Sequence, residues 1–201
     1  INDLEKKDEE IETSKGLIRG VLMRYQQLGF QIGGFNAYMT SDVFQGSGLS
    51  SSAAFEVMIG TVLSGLYNEM KVDSVTIGQV GQYSENVYFG KPCGLMDQCA
   101  CSVGNLIHID FKNNEQPLVN KIDVDFSKFG YSLCIVDVHA SHADLTSDYA
   151  SIPEEMKKVA QFFEKEVLSD VDEDEFYAHL PEVRKAVLDR AVLRAMHLFA
   201  E

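Results

Sequence analysis

Apolar residues recur at helical spacing along most of this chain, broken by short stretches of strict alternation. Leu17, Ile18, Val21, Leu22, Tyr25 and Leu28 share one face of a helix expected over Thr13–Leu28, with Lys15, Arg19 and Arg24 elsewhere. Gly29 ends it. Gln31–Thr40 then alternates, with Phe35, Ala37 and Met39 against Asn36, Tyr38 and Thr40, and predicts a strand with a bend at Gly33-Gly34. Phe55, Met58, Ile59, Val62, Leu63, Leu66, Tyr67 and Met70 predict a long helix with one wide apolar face. A further helix starts near Ser74, runs through Ile77, Val80 and Val87 to about Phe89, and breaks at Gly90-Lys91-Pro92.

Beyond it, Gly104–Phe111 and Tyr131–Val138 read as strands. Ile107, Ile109 and Phe111 alternate in the first, and Cys134-Ile135-Val136 is a short buried run in the second. His108 falls in the first strand, packed or half exposed. The polar stretch Asn113–Phe126 between them is a hairpin or a domain connection. The tail is helical: Pro153 stands at a first helical position, and Pro181 opens a last helix carrying Val183, Ala186, Val187 and Leu193. The acidic run Asp170–Glu175 reads as a solvated loop or helix start and not as a metal site. Together these elements predict an α/β (α+β) sandwich core through residue 128 and the opening of a second domain over 129–201.

Composition narrows the function. The 201 residues carry a net charge of −14, which argues against nucleic acid or an anionic membrane as partner. No apolar run approaches the ~18 residues of a membrane span, and the charged start is no signal peptide. Cys93, Cys99, Cys101 and Cys134 match no common zinc spacing and are read as buried reduced thiols, so a cytoplasmic protein is expected. The chain starts at Ile1, which suggests a piece of something longer.

The chemistry concentrates in Gly46-Ser47-Gly48-Leu49-Ser50-Ser51-Ser52-Ala53-Ala54-Phe55-Glu56-Val57. A glycine- and serine-rich loop here enters a helix, gathering backbone N–H groups, hydroxyls and the positive end of a helix dipole where an anion would bind. It lacks the lysine of a Walker loop, the third glycine of a dinucleotide fingerprint and the trailing glycine of a nucleophile elbow. A serine cap is the competing reading, but a cap needs one serine and this loop has three in a row. Glu85 and Asp97 lie in SENVYFGKPCGLMDQ, Glu85 near a helix end and Asp97 past a turn. For Asp97 a helix-capping role and a functional one weigh evenly on the residues alone. His139, His142 and Asp144 in VHASHADLTSDY are read as polar loop contacts, since closeness in sequence is not triad geometry.

In combination, GSGLSSSAAFEV and SENVYFGKPCGLMDQ closely resemble the galactokinase branch of the GHMP small-molecule kinases. GLSSSAA matches that family's phosphate-binding motif without a gap, and CGLMDQ matches the segment bearing its catalytic aspartate. The likeness continues through DVHASHADLTSDYASIPEEMKKVA and weakens toward the end. It implies a two-layer GHMP N-terminal domain over 1–128 and the start of a ferredoxin-like C-terminal domain over 129–201.

The resemblance also implies roles. Backbone N–H groups of Gly46, Ser47, Gly48, Leu49, Ser50, Ser51 and Ser52 would cradle the phosphates of ATP, assisted by the Ser50 and Ser51 hydroxyls. Ser52 and Glu85 would hold Mg2+, Asp97 would act on the sugar's anomeric hydroxyl as base or orienting charge, and Gly94 and Tyr149 would contact the sugar. The family's N-terminal galactose signature and C-terminal glycine-rich motif have no counterpart here, so the piece alone is expected to have little or no kinase activity. A kinase for N-acetylgalactosamine or another hexose, and a non-catalytic galactose and ATP sensor, are the alternatives. Known sensors shorten the serine-alanine stretch, whereas Ser52-Ala53 is intact here. Oligomeric state is not legible.

Overall fold

The computed structural model describes residues 3–43, 48–111, 113, 116–136 and 146–200. Packing divides the chain into two compact units, Ile1–Ala143 and Asp144–Glu201.

Two helices of the first unit start at polar side-chain caps. Helix α1, Ser14–Gln27, begins where the Thr13 hydroxyl accepts from Gly16 N–H at 3.2 Å. It ends at Leu28, and Gly29 takes the left-handed conformation at φ 82°. Leu17, Val21 and Tyr25 recur at four-residue spacing and are all buried. Arg19 is buried too, because Glu10 receives its guanidinium at 2.6 and 2.8 Å. Lys15 adds a second cation 2.9 Å from the same carboxylate.

Helix α2, Ser51–Tyr67, follows the glycine-serine loop. Its buried stripe is not the one its largest residues predict. Ala53, Glu56, Val57, Ile59, Gly60, Leu63 and Ser64 face inward, while Leu66 and, just beyond the helix, Met70 are exposed. Small residues let α1 approach: the buried Tyr25 hydroxyl donates to the Gly60 carbonyl at 2.6 Å. Helix α3, Ser74–Tyr83, is capped by Asp73, which accepts from Thr76 N–H at 2.9 Å. It continues as a π-helical stretch, Ser84–Phe89, to Gly90 at φ 84°. There the Ser84 hydroxyl donates to the Leu17 carbonyl at 2.7 Å, tying this stretch to α1. Val21, Leu22, Tyr25, Val57, Ile59, Leu63, Val72, Ile77 and Val80 form one apolar core.

Helix α4, Met96–Val103, ends at Gly104. It leads into a two-stranded antiparallel sheet of β1, Leu106–Asp110, and β2, Leu118–Ile122, with Leu106 opposite Ile122 and Ile109 opposite Val119. The hairpin reading of the polar stretch therefore holds, with the return strand inside it.

Two expected strands are not formed among the described residues. Residues 31–40 run without a sheet partner, and at the start of the segment α2 and the residue that ends it take up polar groups of Gln31 and Gly34. Gln31 N–H donates to Asn68 Oδ1 and Asn68 Nδ2 to the Gln31 carbonyl, both at 2.9 Å, and the Tyr67 hydroxyl donates to the Gly34 carbonyl at 2.6 Å. Gly33 is where the Tyr67 ring lies so close that a methyl group would stand 2.5 Å from it. Residues 131–136 likewise join no ladder among the described residues, and Cys134, Ile135 and Val136 are exposed rather than buried. Residues 137 and 138 of that segment lie outside the description, as do His139, His142 and Asp144. His108 is exposed.

The second unit is helical: α5, Thr146–Phe162; α6, Glu173–Ala178; α7, Leu180–Ala186; and α8, Asp189–Ala200. Pro153 lies inside α5 and does not start it, since Thr146–Ile152 are already helical. The expected last helix is two, α7 breaking at the extended Val187 before α8. The acidic run starts α6, where Asp172 accepts from Glu175 N–H at 2.9 Å. Val159, Leu168, Phe176, Val183, Val192 and Ala195 lie in the core, and buried Glu155 holds Arg190 and Arg194 at 3.0 and 2.8 Å.

No helix among the described residues is long and apolar enough to cross a membrane.

Candidate functional site

The N-terminus of α2 is shaped by two residues with positive φ, Gly48 at 77° and Ser50 at 56°. Ser50 is the cap residue, yet its side chain makes no capping hydrogen bond. Its hydroxyl instead donates to Asp97 Oδ2 at 2.7 Å. A serine in the left-handed region costs energy that a glycine would avoid, and such residues cluster where a loop is shaped for a ligand. The first N–H groups of α2 thus receive no cap from Ser50, and no acidic side chain stands in its first turn. Leu49 is exposed beside them, while Gly46 and Ser47 lie outside the described residues.

Asp97 stands in the first turn of α4 and is exposed. It is not the cap of that helix, a place taken by Leu95, so the capping alternative is set aside. Its carboxylate reaches across to α2. Two residues further along the loop, the Ser52 hydroxyl donates to Glu85 Oε1 at 3.0 Å. Glu85 is buried, 2% exposed, in the π-helical stretch after α3. A π turn widens the helix by one residue and is frequent at functional sites. The three elements therefore bring Ser50 to Asp97 and Ser52 to Glu85.

Behind this pair lies a polar cluster that the residue patterns had not singled out. Gln98 Nε2 donates to Glu85 Oε2 at 3.0 Å and to Glu56 Oε2 at 3.2 Å, and lies 3.6 Å from Cys93 Sγ. Gln98 and Glu56 are each 1% exposed. Burial first, and the charge of Glu85 second, push the Glu56 carboxyl up to about 9, so Glu56 is held protonated at neutral pH. Glu56 Oε1 and Gln98 Oε1 have no protein partner. A methyl at Gly81 of α3 would stand 3.1 Å from both Glu56 Oε2 and Gln98 Cγ, so this helix is shaped to admit the cluster. The signal for Glu56 was its four-residue spacing from Ser52, one turn along the same face of α2.

Burial pushes the thiols of Cys93, Cys99 and Cys101 up, and of the four cysteines only Cys99 is fully buried, with Cys101 and Cys134 exposed.

Gly94 is exposed in the turn before α4, with open space where a side chain would be. Tyr149 belongs to the second unit, on α5, and is 57% exposed.

A buried carboxyl group, Glu85, and an exposed one, Asp97, thus both meet serine hydroxyls at the N-terminus of α2. Residues 16–105 match the family described as GHMP kinases N terminal domain. The chain is similar to the galactokinase of Glaesserella parasuis serovar 5 (strain SH0165), with 32% identity over 192 residues covering 93% of this chain and 48% of that protein. Its fold is that of the galactose-complexed Lactococcus lactis galactokinase, with a TM-score of 0.67 and 21% identity over 98% of this chain and 50% of the other. The chain thus spans about half the length of the relatives it matches.

Proposed function

We propose that the protein carrying this chain is a sugar kinase that transfers the γ-phosphoryl group of ATP to the anomeric hydroxyl of galactose. One observation carries the reading: the serine loop at the start of α2 meets two separate carboxylates, Ser50 on Asp97 and Ser52 on Glu85. Phosphoryl transfer asks for phosphate donors, charge neutralisation and an aligned nucleophile, and these residue types supply each.

Backbone N–H groups of Gly48 to Ser52, together with Gly46 and Ser47, hold the phosphates, with the Ser50 and Ser51 hydroxyls assisting. The residues also fit Mg2+. Ser52 and the buried Glu85 offer hard oxygen ligands, and among the described residues the donors to Glu85 are the neutral Ser52 hydroxyl and Gln98 amide. Among the described residues no cluster of three or more His, Cys, Asp or Glu could hold a metal. When bound, Mg2+ neutralises charge on the phosphates. Asp97, exposed and fixed by Ser50, orients the sugar hydroxyl and accepts its proton. Gly94 contributes a backbone N–H to the sugar.

The same reading keeps residues 1–128 as the GHMP N-terminal-type domain and 129–201 as the start of the C-terminal-type domain. It places the protein in the cytoplasm, with no nucleic-acid or membrane partner.

The test is ADP release by the full protein with galactose, N-acetylgalactosamine and glucose in parallel. Release with galactose foremost supports the proposal. Binding of both galactose and ATP without turnover would make the protein a sensor instead.

A further inference from the structure

Asp97 and Glu85 sit on different elements, yet one side chain stands between them. Gln98 follows Asp97 directly in the first turn of α4, and its amide group reaches Glu85 Oε2 at 3.0 Å. The second oxygen of Glu85 is the one that takes the Ser52 hydroxyl. The other N–H of Gln98 is taken by Glu56 Oε2, one helical turn beyond Ser52 on α2. A closed circuit results: Ser50 to Asp97, one peptide bond to Gln98, Gln98 to Glu85, Glu85 to Ser52, and along α2 back to Ser50.

An amide nitrogen carries two hydrogens at a fixed angle, so a glutamine bound at both cannot turn without losing one bond. Burial strengthens that restraint, because each lost bond leaves a carboxyl oxygen unsatisfied away from water. The backbone of α3 closes the space behind it. A methyl at Gly78 would stand 3.3 Å from Gln98 C and Cys99 N, and one at Gly81 would stand 3.1 Å from Gln98 Cγ.

We propose that Gln98 is a positioning residue of this site: anchored on Glu56, its amide aims the Glu85 carboxylate at Ser52 and sets the register of α4 that places Asp97 on Ser50. The inference rests on the reading of Ser52 and Glu85 as metal ligands. Groups that hold a metal ligand in this way affect metal affinity by about 10–100-fold when removed.

The test uses the full protein, with Mn2+ as probe and a non-hydrolysable ATP analogue. Protein-bound Mn2+ is followed by water-proton relaxation, beside steady-state kinetics and thermal unfolding. Gln98→Met keeps length and bulk and removes both donors. It is expected to weaken Mn2+ retention about tenfold and lower kcat with little change in the sugar KM. Glu85→Gln serves as the reference. If it weakens Mn2+ and Gln98→Met does not, Gln98 is only a packing residue and the proposal fails alone. If Glu85→Gln leaves Mn2+ unchanged, the metal reading fails and takes the proposal with it. Should Gln98→Met not fold, the double variant Glu56→Gln with Gln98→Met, which leaves no second carboxyl group unpaired, is measured in its place against the same two outcomes.

Discussion

The Ser52 hydroxyl donates to Glu85 Oε1 at 3.0 Å, joining residues thirty-three positions apart in the chain. Glu85 is almost wholly buried and, among the described residues, accepts hydrogen bonds from this hydroxyl and the Gln98 amide. Burying a carboxyl group with neutral donors alone makes its charged form costly, and a cation at this point would offset that cost. The pair therefore links the fold directly to a charge requirement.

Removing that pair should separate binding from chemistry. Ser52→Ala and Glu85→Gln in the full protein are each expected to lower kcat/KM by roughly 10²–10³-fold, with the Mg2+ concentration needed for half-maximal rate rising. Measuring rate against free Mg2+ at saturating ATP checks this. An unchanged Mg2+ requirement in Glu85→Gln would count against the metal reading.

The protonated state of Glu56 makes stability depend on pH with a definite sign. In the folded chain this carboxyl keeps its proton up to about pH 9. Unfolded, it ionises near the ordinary value of about 4.3. Between those values the unfolded chain holds fewer protons, so this residue lowers stability as pH rises. Glu56→Gln keeps a neutral side chain of the same shape and removes the slope. Urea unfolding should show the variant gaining ~1–3 kcal/mol relative to the parent on going from pH 5 to pH 8. An equal difference at both pH values would mean that Glu56 is ionised in the fold.

Packing between α1 and the π-helical stretch gives a test of the scaffold. A methyl at Gly20 would stand 2.6 Å from Ser84 Oγ and 2.9 Å from Ser84 Cα, so backbone must move to admit it. Gly20→Ala should destabilise by about 1–3 kcal/mol despite the better helix propensity of alanine. Because Ser84 adjoins Glu85, the variant is also expected to weaken the Ser52–Glu85 contact and lower the rate. Thermal unfolding read beside kcat checks both effects.

Much of this was legible in the residues, where local physics decides. Helices α1 and α3 start at Thr13 and Asp73 because those side chains accept from the third residue onward, a signal carried within a few positions. Ser50, Ser52, Glu85 and Asp97 came from motifs, and the fold brings them together in pairs. The strand readings at 31–40 and 131–138 failed in the described parts because a strand needs a partner, and pairing is not written in the strand itself. Asn68 and Tyr67 took the place of a partner for 31–34, through side chains more than thirty positions away. Glu56 was missed because a glutamate between Phe55 and Val57 reads as a solvated helix position, and only tertiary packing puts it beside Gln98. Pro153 misled in the same way, since helical residues upstream of it carry no cap signal that outweighs a proline.

The most direct test of the account compares the full protein with its Asp97→Asn variant for galactose-dependent ADP formation. Asparagine keeps an oxygen for the Ser50 hydroxyl and leaves the exposed start of α4 undisturbed, so the fold is expected to persist. The account predicts galactose-dependent turnover in the parent and a loss of at least about a hundredfold in kcat for the variant. Near-normal turnover by the variant would remove Asp97 from the chemistry and contradict the account.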